Sequence, residues 1–302
     1  MKTSLMFTWI LNLAVVLALP MQKRSSLKRN LRNTPTLVQC MDMQSFAGEY
    51  KFVADGSGSV CGLYLISLPE KLIELEFLDF NVDCEAGGLA ALVDGWEMNG
   101  QFFPPPADHH LTLNQRYMTF CGQSKPRRVL VSSQNVLLIQ NRIPVQGQGF
   151  TVKVKFIDNP QPCNAVSMFT QGVHTIKNYG QRRNCSVSII YPEMVHLVSV
   201  DVGVTAKMNE VDSDLGLSDQ CRDSRGNTDY VEVIGGNGFE TDSSNRRELA
   251  CGLTTGAERR GTPVACTNTV IRMVSSGEYF NTVTFVYTQP TEEDLMRDNG
   301  TC

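Results

Sequence analysis

Four histidines, His109, His110, His174 and His196, are the side chains whose ordinary proton affinity lies near neutrality. None sits in an H-E-x-x-H arrangement, which would put two zinc ligands and a glutamate base on one helix face. No G-x-S-x-G marks a serine nucleophile on a strand-to-helix turn. Asp108-His109-His110 offers metal-ligand types, but a structural zinc site normally takes four ligands and a fixed second shell. Following Pro104, Pro105 and Pro106, the triplet reads as a polar turn after a stiff proline segment. The covalent chemistry that the residues do support is of another kind. Asn184-Cys185-Ser186 is a glycosylation acceptor whose middle residue is a cysteine, and Asn299-Gly300-Thr301 is a second acceptor just before Cys302. Ten cysteines, none spaced C-x-x-C, point to structural thiols rather than a zinc ribbon or a redox site. No catalyst, metal or cofactor is implied.

Crosslinks and glycans require a particular compartment, and the N-terminus supplies it. Lys2 precedes the apolar run Leu5–Leu19, with Ala18 at a plausible cleavage position and Pro20 and basic residues beyond. This pattern predicts a signal peptide over residues 1–18 and a secreted, extracellular product. No other stretch reaches the roughly 18 consecutive apolar residues of a membrane span. In a secreted chain the even cysteine count implies a disulfide framework. Residues 19–39 carry Lys23, Arg24, Lys28, Arg29 and Arg32 with no acid and no hydrophobic period, and are expected to form a disordered leader with two dibasic trimming points. The remainder is net acidic, which disfavours nucleic acid.

The elements that hold the cysteines repeat. Ser59–Pro69 resembles Arg183–Pro192, Cys84–Gly95 resembles Cys221–Gly236, Tyr117–Gly122 pairs with Arg247–Gly252, and Ser132–Phe156 pairs with Cys266–Thr288. Four matches in one order define a tandem duplication, with domains expected at 40–158 and 159–302. Period-2 runs such as Leu72–Phe77, Thr151–Phe156, His196–Val202 and Thr282–Tyr287 read as half-buried strands, and Gly, Asn, Asp and Pro clusters separate them. An all-β fold of two disulfide-stapled sandwiches follows, with the boundary near Pro160 and Pro162. Connectivity among ten cysteines is not fixed by sequence alone. The repeat favours sequential pairing within each half: Cys40–Cys61, Cys84–Cys121, Cys163–Cys185, Cys221–Cys251, with Cys266–Cys302 left over.

The order cysteine, "SIIYP", cysteine, "DYVEVIGG", "CG" and a final alternating hairpin resembles the CUB domain, a jelly-roll β-sandwich of secreted proteins. Two such domains with a C-terminal extra bridge, together with "VDGWEMNGQFFPPPADH", "SSQNV" and "NTVIRMVSSG", resemble the corticotropin-releasing-factor-binding protein family, in an invertebrate-type form. The resemblance covers roughly Cys40 to Cys302. It implies the Cys163–Cys185 bridge at the start of a strand, with Asn184 facing solvent one residue earlier, because neighbouring strand residues point to opposite faces. Many CUB domains bind calcium, but Gly88 stands where the second repeat has Asp229, and "NRIP" and "VSSG" stand where calcium-binding members tend to carry Ser-Asp. That leaves too few of the six to eight oxygen ligands calcium prefers.

Two groups are candidates for ligand contact. Trp96, Phe102 and Phe103 read as loop aromatics that could anchor a partner, since such rings bury large area at low entropy cost; the alternative is that Trp96 covers a core edge. Asp42 matches a position implicated in peptide binding in the family, although Thr36 stands where the family has an arginine; otherwise Asp42 caps a turn. The resemblance implies a non-enzymatic protein that sequesters a peptide hormone of the corticotropin-releasing-factor or diuretic-hormone type, the peptide docking as an amphipathic helix. The alternative is an extracellular assembly or enhancer module that docks onto a matrix protein or protease.

Overall fold

A computed structural model of the chain describes residues 34–204, 229–239, 243–255, 261–298 and 302. The expected signal peptide, the dibasic pairs of the leader, Cys221 and Asn299 lie outside the described residues. Residues 34–302 form one compact unit, built almost wholly of strands.

The first half is a sandwich of two five-stranded sheets, as expected from the alternating segments. One sheet runs Thr36–Leu37, Gly48–Val53, Gly149–Asp158, Lys71–Asn81 and Leu130–Val131; the other runs Met41–Gln44, Val60–Ile66, Val136–Arg142, Leu89–Val93 and Tyr117–Phe120. Alternation decides which residues meet between the sheets. In Lys71–Asn81, Ile73, Leu75 and Phe77 are buried while the residues between them are not. Their inward side chains join Phe52, Leu63, Leu65, Ile139, Phe150 and Val152 in one core. Burying each such side chain contributes about 1.5–3 kcal/mol.

The second half repeats the plan of two facing sheets. Its five-stranded sheet Ala165–Ser167, Cys185–Ile189, Asn268–Val274, Tyr230–Gly236 and Arg246–Ala250 has the order of the second sheet above. The sheet facing it contains Gly172–Lys177, Thr282–Thr288, Glu193–Val202 and Gly252–Thr255, and Thr262–Val264 also pairs with Glu193–Val202. A separate core of Val187, Ile189, Leu197, Val233, Ile271 and Phe285 fills it. All four segment matches read from the sequence fall on equivalent strands.

Disulfides Cys40–Cys61, Cys84–Cys121, Cys163–Cys185 and Cys266–Cys302 are formed as expected. Cys251 is also disulfide-bonded. The leader does not extend to residue 39: Thr36 and Leu37 pair in parallel with Tyr50 and Lys51, and Val38 is buried in the first core. The basic composition upstream hid this short strand, whose order comes from the sheet edge it joins. Among the described residues no helix is long and apolar enough to cross a membrane.

Candidate functional site

Residues 94–116 leave the first sandwich as a long excursion, and they decide the fate of the aromatic candidates. Gly95 opens it at φ +125°, where a Cβ would lie 2.1 Å from the Phe103 carbonyl oxygen, so only glycine admits the turn. Trp96–Met98 and Gln101–Phe103 then pair as a hairpin. Trp96 is only 2% exposed. Its Nε1–H donates to the Leu65 carbonyl at 3.1 Å, and its ring meets Tyr64 edge-on at 5.5 Å. Phe103 is buried against Phe239 of the second half, with ring centres 5.5 Å apart. Phe102 is half-buried on Tyr117. Trp96 and Phe103 are therefore not surface anchors. They form, with Ile66, Val93, Val136, Leu138, Val166 and Phe239, a third core that lies between the halves. Sequence could not separate the two readings, because Val166 and Phe239, which complete the burial, come from the other repeat.

Two buried arginines hold the excursion. Arg116 is inaccessible and spends its guanidinium on backbone: Nε donates to Asp94 O at 2.9 Å, Nη1 to Pro104 O at 2.8 Å and Nη2 to Phe103 O at 2.9 Å. Burial lowers its proton affinity, opposed mainly by the Asp94 charge. Burial also pushes the Asp94 carboxyl up, but bonds from His109 and Ser133 outweigh this and hold it below its ordinary value. Its oxygens accept from Ser133 N and Gln134 Nε2, each at 2.8 Å, and His109 Nε2 lies 3.4 Å away.

At the far end Asp108 crosses to the second sandwich. Its carboxylate accepts from Arg272 Nε at 2.8 Å and Nη2 at 2.7 Å, and from the Ser186 hydroxyl. Arg272 Nη1 donates to Glu232 Oε1 at 3.0 Å, and Arg246 Nε to Glu232 Oε2 at 2.7 Å. Ser186, Arg272 and Glu232 stand side by side on three neighbouring strands, so they present one polar row to the incoming loop. Burial alone would lower the affinity of Arg272 for its proton; the two carboxylates reverse that and raise it. Asp108-His109-His110 is thus neither a metal site nor a plain polar turn, because Asp108 closes a buried ion pair between the halves. The signal was present in the sequence: arginine at the centre of "NTVIRMV" must find a carboxylate if that strand is buried.

Asn184, expected to face solvent, is half-buried, and its Nδ2 donates to the Ala107 carbonyl at 3.1 Å. That nitrogen is the one a glycan would occupy, and here it is bonded to the excursion.

The outer face of the equivalent sheet in the first half is less covered. Met41 and Met43 lie beside Gly62 and Tyr64 on the neighbouring strand, and they are 61% and 47% exposed. A Cβ on Gly62 would meet Tyr64 Cε2 at 2.9 Å and Met41 Cε at 3.6 Å, so glycine lets these side chains lie flat over the strand. Tyr64 Oη donates to Glu97 O at 3.1 Å, fixing its ring at the foot of the excursion. Asp42 points the other way along the edge. Its carboxylate accepts from Gln39 N at 3.1 Å, Met43 N at 2.8 Å and Gln44 Nε2 at 3.1 Å, which caps the turn into the edge strand. The structure therefore places Asp42 on the edge strand that carries Met41 and Met43, on the face opposite to theirs.

Calcium, raised by the CUB resemblance, does not suit the residues present. Asp229 is buried, but Oδ1 accepts from Ser276 N at 2.7 Å and Oδ2 from Asn281 Nδ2 at 2.6 Å. The same Nδ2 donates to Ser275 Oγ at 2.8 Å. The carboxylate thus faces N–H donors where a cation would need further oxygens. Among the described residues no cluster of three or more His, Cys, Asp or Glu is arranged to hold a metal. Chelation is expected to leave the melting temperature unchanged within about 1 °C. A drop restored by added calcium would contradict this.

Glu193 is the second half's misfit. It is inaccessible, and neither carboxylate oxygen has a hydrogen-bond partner. Burial raises its pKa from 4.5 to about 7. With the folded value above the unfolded one, its contribution favours the folded state below pH 4.5 and is lost as the pH rises to about 7. Stability should fall by roughly 3 kcal/mol over that window. Glu193→Gln should flatten the profile and be the more stable protein at pH 8, as denaturant midpoints would show; identical profiles would contradict the assignment.

Two sequence patterns match the chain: "Corticotropin-releasing factor binding protein N-terminal domain" over residues 33–158 and "Corticotropin-releasing factor binding protein C-terminal domain" over residues 165–296. The human corticotropin-releasing factor-binding protein is 35% identical over 263 residues, covering 87% of this chain and 79% of that protein. The Xenopus laevis protein of the same name is 36% identical with the same coverage. Among solved structures, the CUB1-EGF-CUB2 domains of rat MASP-1 align over 82% of this chain and 99% of that chain, at 13% identity and a TM-score of 0.27. With both halves matched in order, the chain belongs to the corticotropin-releasing factor-binding protein family.

Proposed function

We propose that the chain is a secreted, non-enzymatic binding protein that sequesters a corticotropin-releasing-factor-like or diuretic-hormone-like peptide and so limits its access to a receptor. Family membership carries this reading, since the relatives matched over both halves are named as corticotropin-releasing factor-binding proteins. Residues 1–18 are the signal peptide in this reading, and the two binding-protein domains meet between 158 and 159. A free peptide of this class is unordered and can lay the apolar face of a helix on an exposed strip, where burial offsets the cost of ordering. The Met41, Met43 and Tyr64 strip beside Asp42 suits such a partner, because unbranched thioethers adjust to irregular apolar surfaces. Asp42 lies between the two methionines but faces the other side of the strand, where its capping bonds hold the strip's edge in place. Capture from secretion fluid tests the reading: a short amidated or free peptide eluting with the protein supports it, and a large matrix protein or protease as the sole partner contradicts it.

A further inference from the structure

Paired basic residues recur along this chain, and their surroundings differ. Arg246 and Arg247 lie in a strand and are ion-paired to Glu232 and Asp298. Arg183 donates to the Gln161 and Lys177 carbonyls and lies over the Tyr179 ring. Lys125-Pro126-Arg127-Arg128 is unlike both. Lys125, Arg127 and Arg128 are all exposed, and residues 123–129 form neither strand nor helix. No hydrogen bond or ion pair holds these three side chains among the described residues. Pro126 cannot donate and keeps its own φ near −65°, which favours an extended chain here. Downstream, Val129 is 44% exposed, and Leu130–Val131 is a two-residue strand at a sheet edge, paired only with Glu74 and Leu75. Edge pairing this short opens at low cost, freeing the extended stretch that a protease cleft needs.

We propose that this loop is a processing site for a serine endoprotease with acidic pockets for paired basic residues. Water adds across the Arg128–Val129 peptide bond, leaving a carboxylate on Arg128 and a new amino terminus on Val129. The fold determines what the cut does. Cys40–Cys61 and Cys84–Cys121 both close before residue 128, and Cys163–Cys185, Cys266–Cys302 and Cys251 all lie after it, so no described bridge ties the two pieces. They are held instead by sheet pairing: Val136–Arg142 sits between Val60–Ile66 and Leu89–Val93, and Gly149–Asp158 between Gly48–Val53 and Lys71–Asn81. The Asp108–Arg272 pair adds a tie across the cut. The product is a nicked but assembled protein, with the methionine strip and the Val60–Ile66 strand it pairs with on one piece and the next strand, Val136–Arg142, on the other.

The test is digestion of the purified full chain with a paired-basic-specific endoprotease, alongside a synthetic peptide spanning Ser124–Ser132. The expected result is a fragment beginning at Val129, two bands on a denaturing gel without reductant, and an unchanged native elution volume. Arg128→Gln, on an exposed loop that packs against nothing, should slow this cut by about 100-fold or more by emptying the acidic pocket. Full cleavage of the peptide with no Val129 terminus from the folded protein would overturn the proposal, as would an Arg128→Gln variant cut at the wild-type rate.

Discussion

Replacing Arg272 by alanine is expected to destabilise the protein by about 3–5 kcal/mol, because it strands the buried Asp108 carboxylate without a countercharge and leaves Glu232 with Arg246 alone. The side chains of Asp108 and Glu232 are 0% and 2% exposed, and Arg272 itself only 11%. The loss should show as a lower denaturant midpoint. Because Asp108 belongs to the first half and Arg272 to the second, scanning calorimetry should also resolve two transitions where the wild type gives one. The double change Asp108→Asn, Arg272→Met should recover much of the stability, since Glu232 keeps Arg246 as its partner and no buried charge is left stranded. A single variant with wild-type stability and one transition would show that the ion pair does not join the halves.

Trp96→Ala is the second large effect. Truncating a buried tryptophan costs about 3–5 kcal/mol through lost burial and the cavity left behind. It also removes the donor to the Leu65 carbonyl. The consequence is loss of stability rather than a selective loss of ligand affinity, which separates the core role from the anchor role that its sequence context suggests. Thermal and chemical unfolding curves measure it directly. A variant that unfolds like the wild type while binding peptide more weakly would restore Trp96 as a surface anchor.

The contrast shows what the sequence carried. Strand alternation in segments such as Leu72–Phe77, the duplicated cysteine order and the sequential bridges were legible because they depend on local period and on spacing. The turn-capping alternative for Asp42 was legible because its bonds reach only residues 39, 43 and 44. What escaped was the joint between the repeats. Asp108 and Arg272 are 164 residues apart, and no periodicity relates a proline-rich loop to the centre of a strand in another domain. The excursion is also where the two halves stop being copies. Ser186, Arg272 and Glu232 of the second half occupy the strand positions that Gly62, Gln140 and Ala91 occupy in the first. One face of the duplicated sheet therefore became a polar socket for the excursion. Its counterpart kept an apolar strip open beside Met41. Divergence at matched positions, rather than similarity, marks the joint and the free surface.

Peptide capture at that free surface is most directly tested by calorimetric titration of the purified protein with a synthetic peptide of the corticotropin-releasing-factor or diuretic-hormone class. One peptide should bind per protein, with a negative heat-capacity change from apolar burial. Raising the salt should weaken binding less than it would a contact made by exposed charges alone. Met41→Asp with Met43→Asp, both on an exposed edge strand, should leave the unfolding midpoint near that of the wild type while weakening binding by about 2 kcal/mol or more, as loss of a central apolar contact does. No heat with any such peptide at micromolar concentration, or full affinity in the double variant, would contradict peptide binding at this strip.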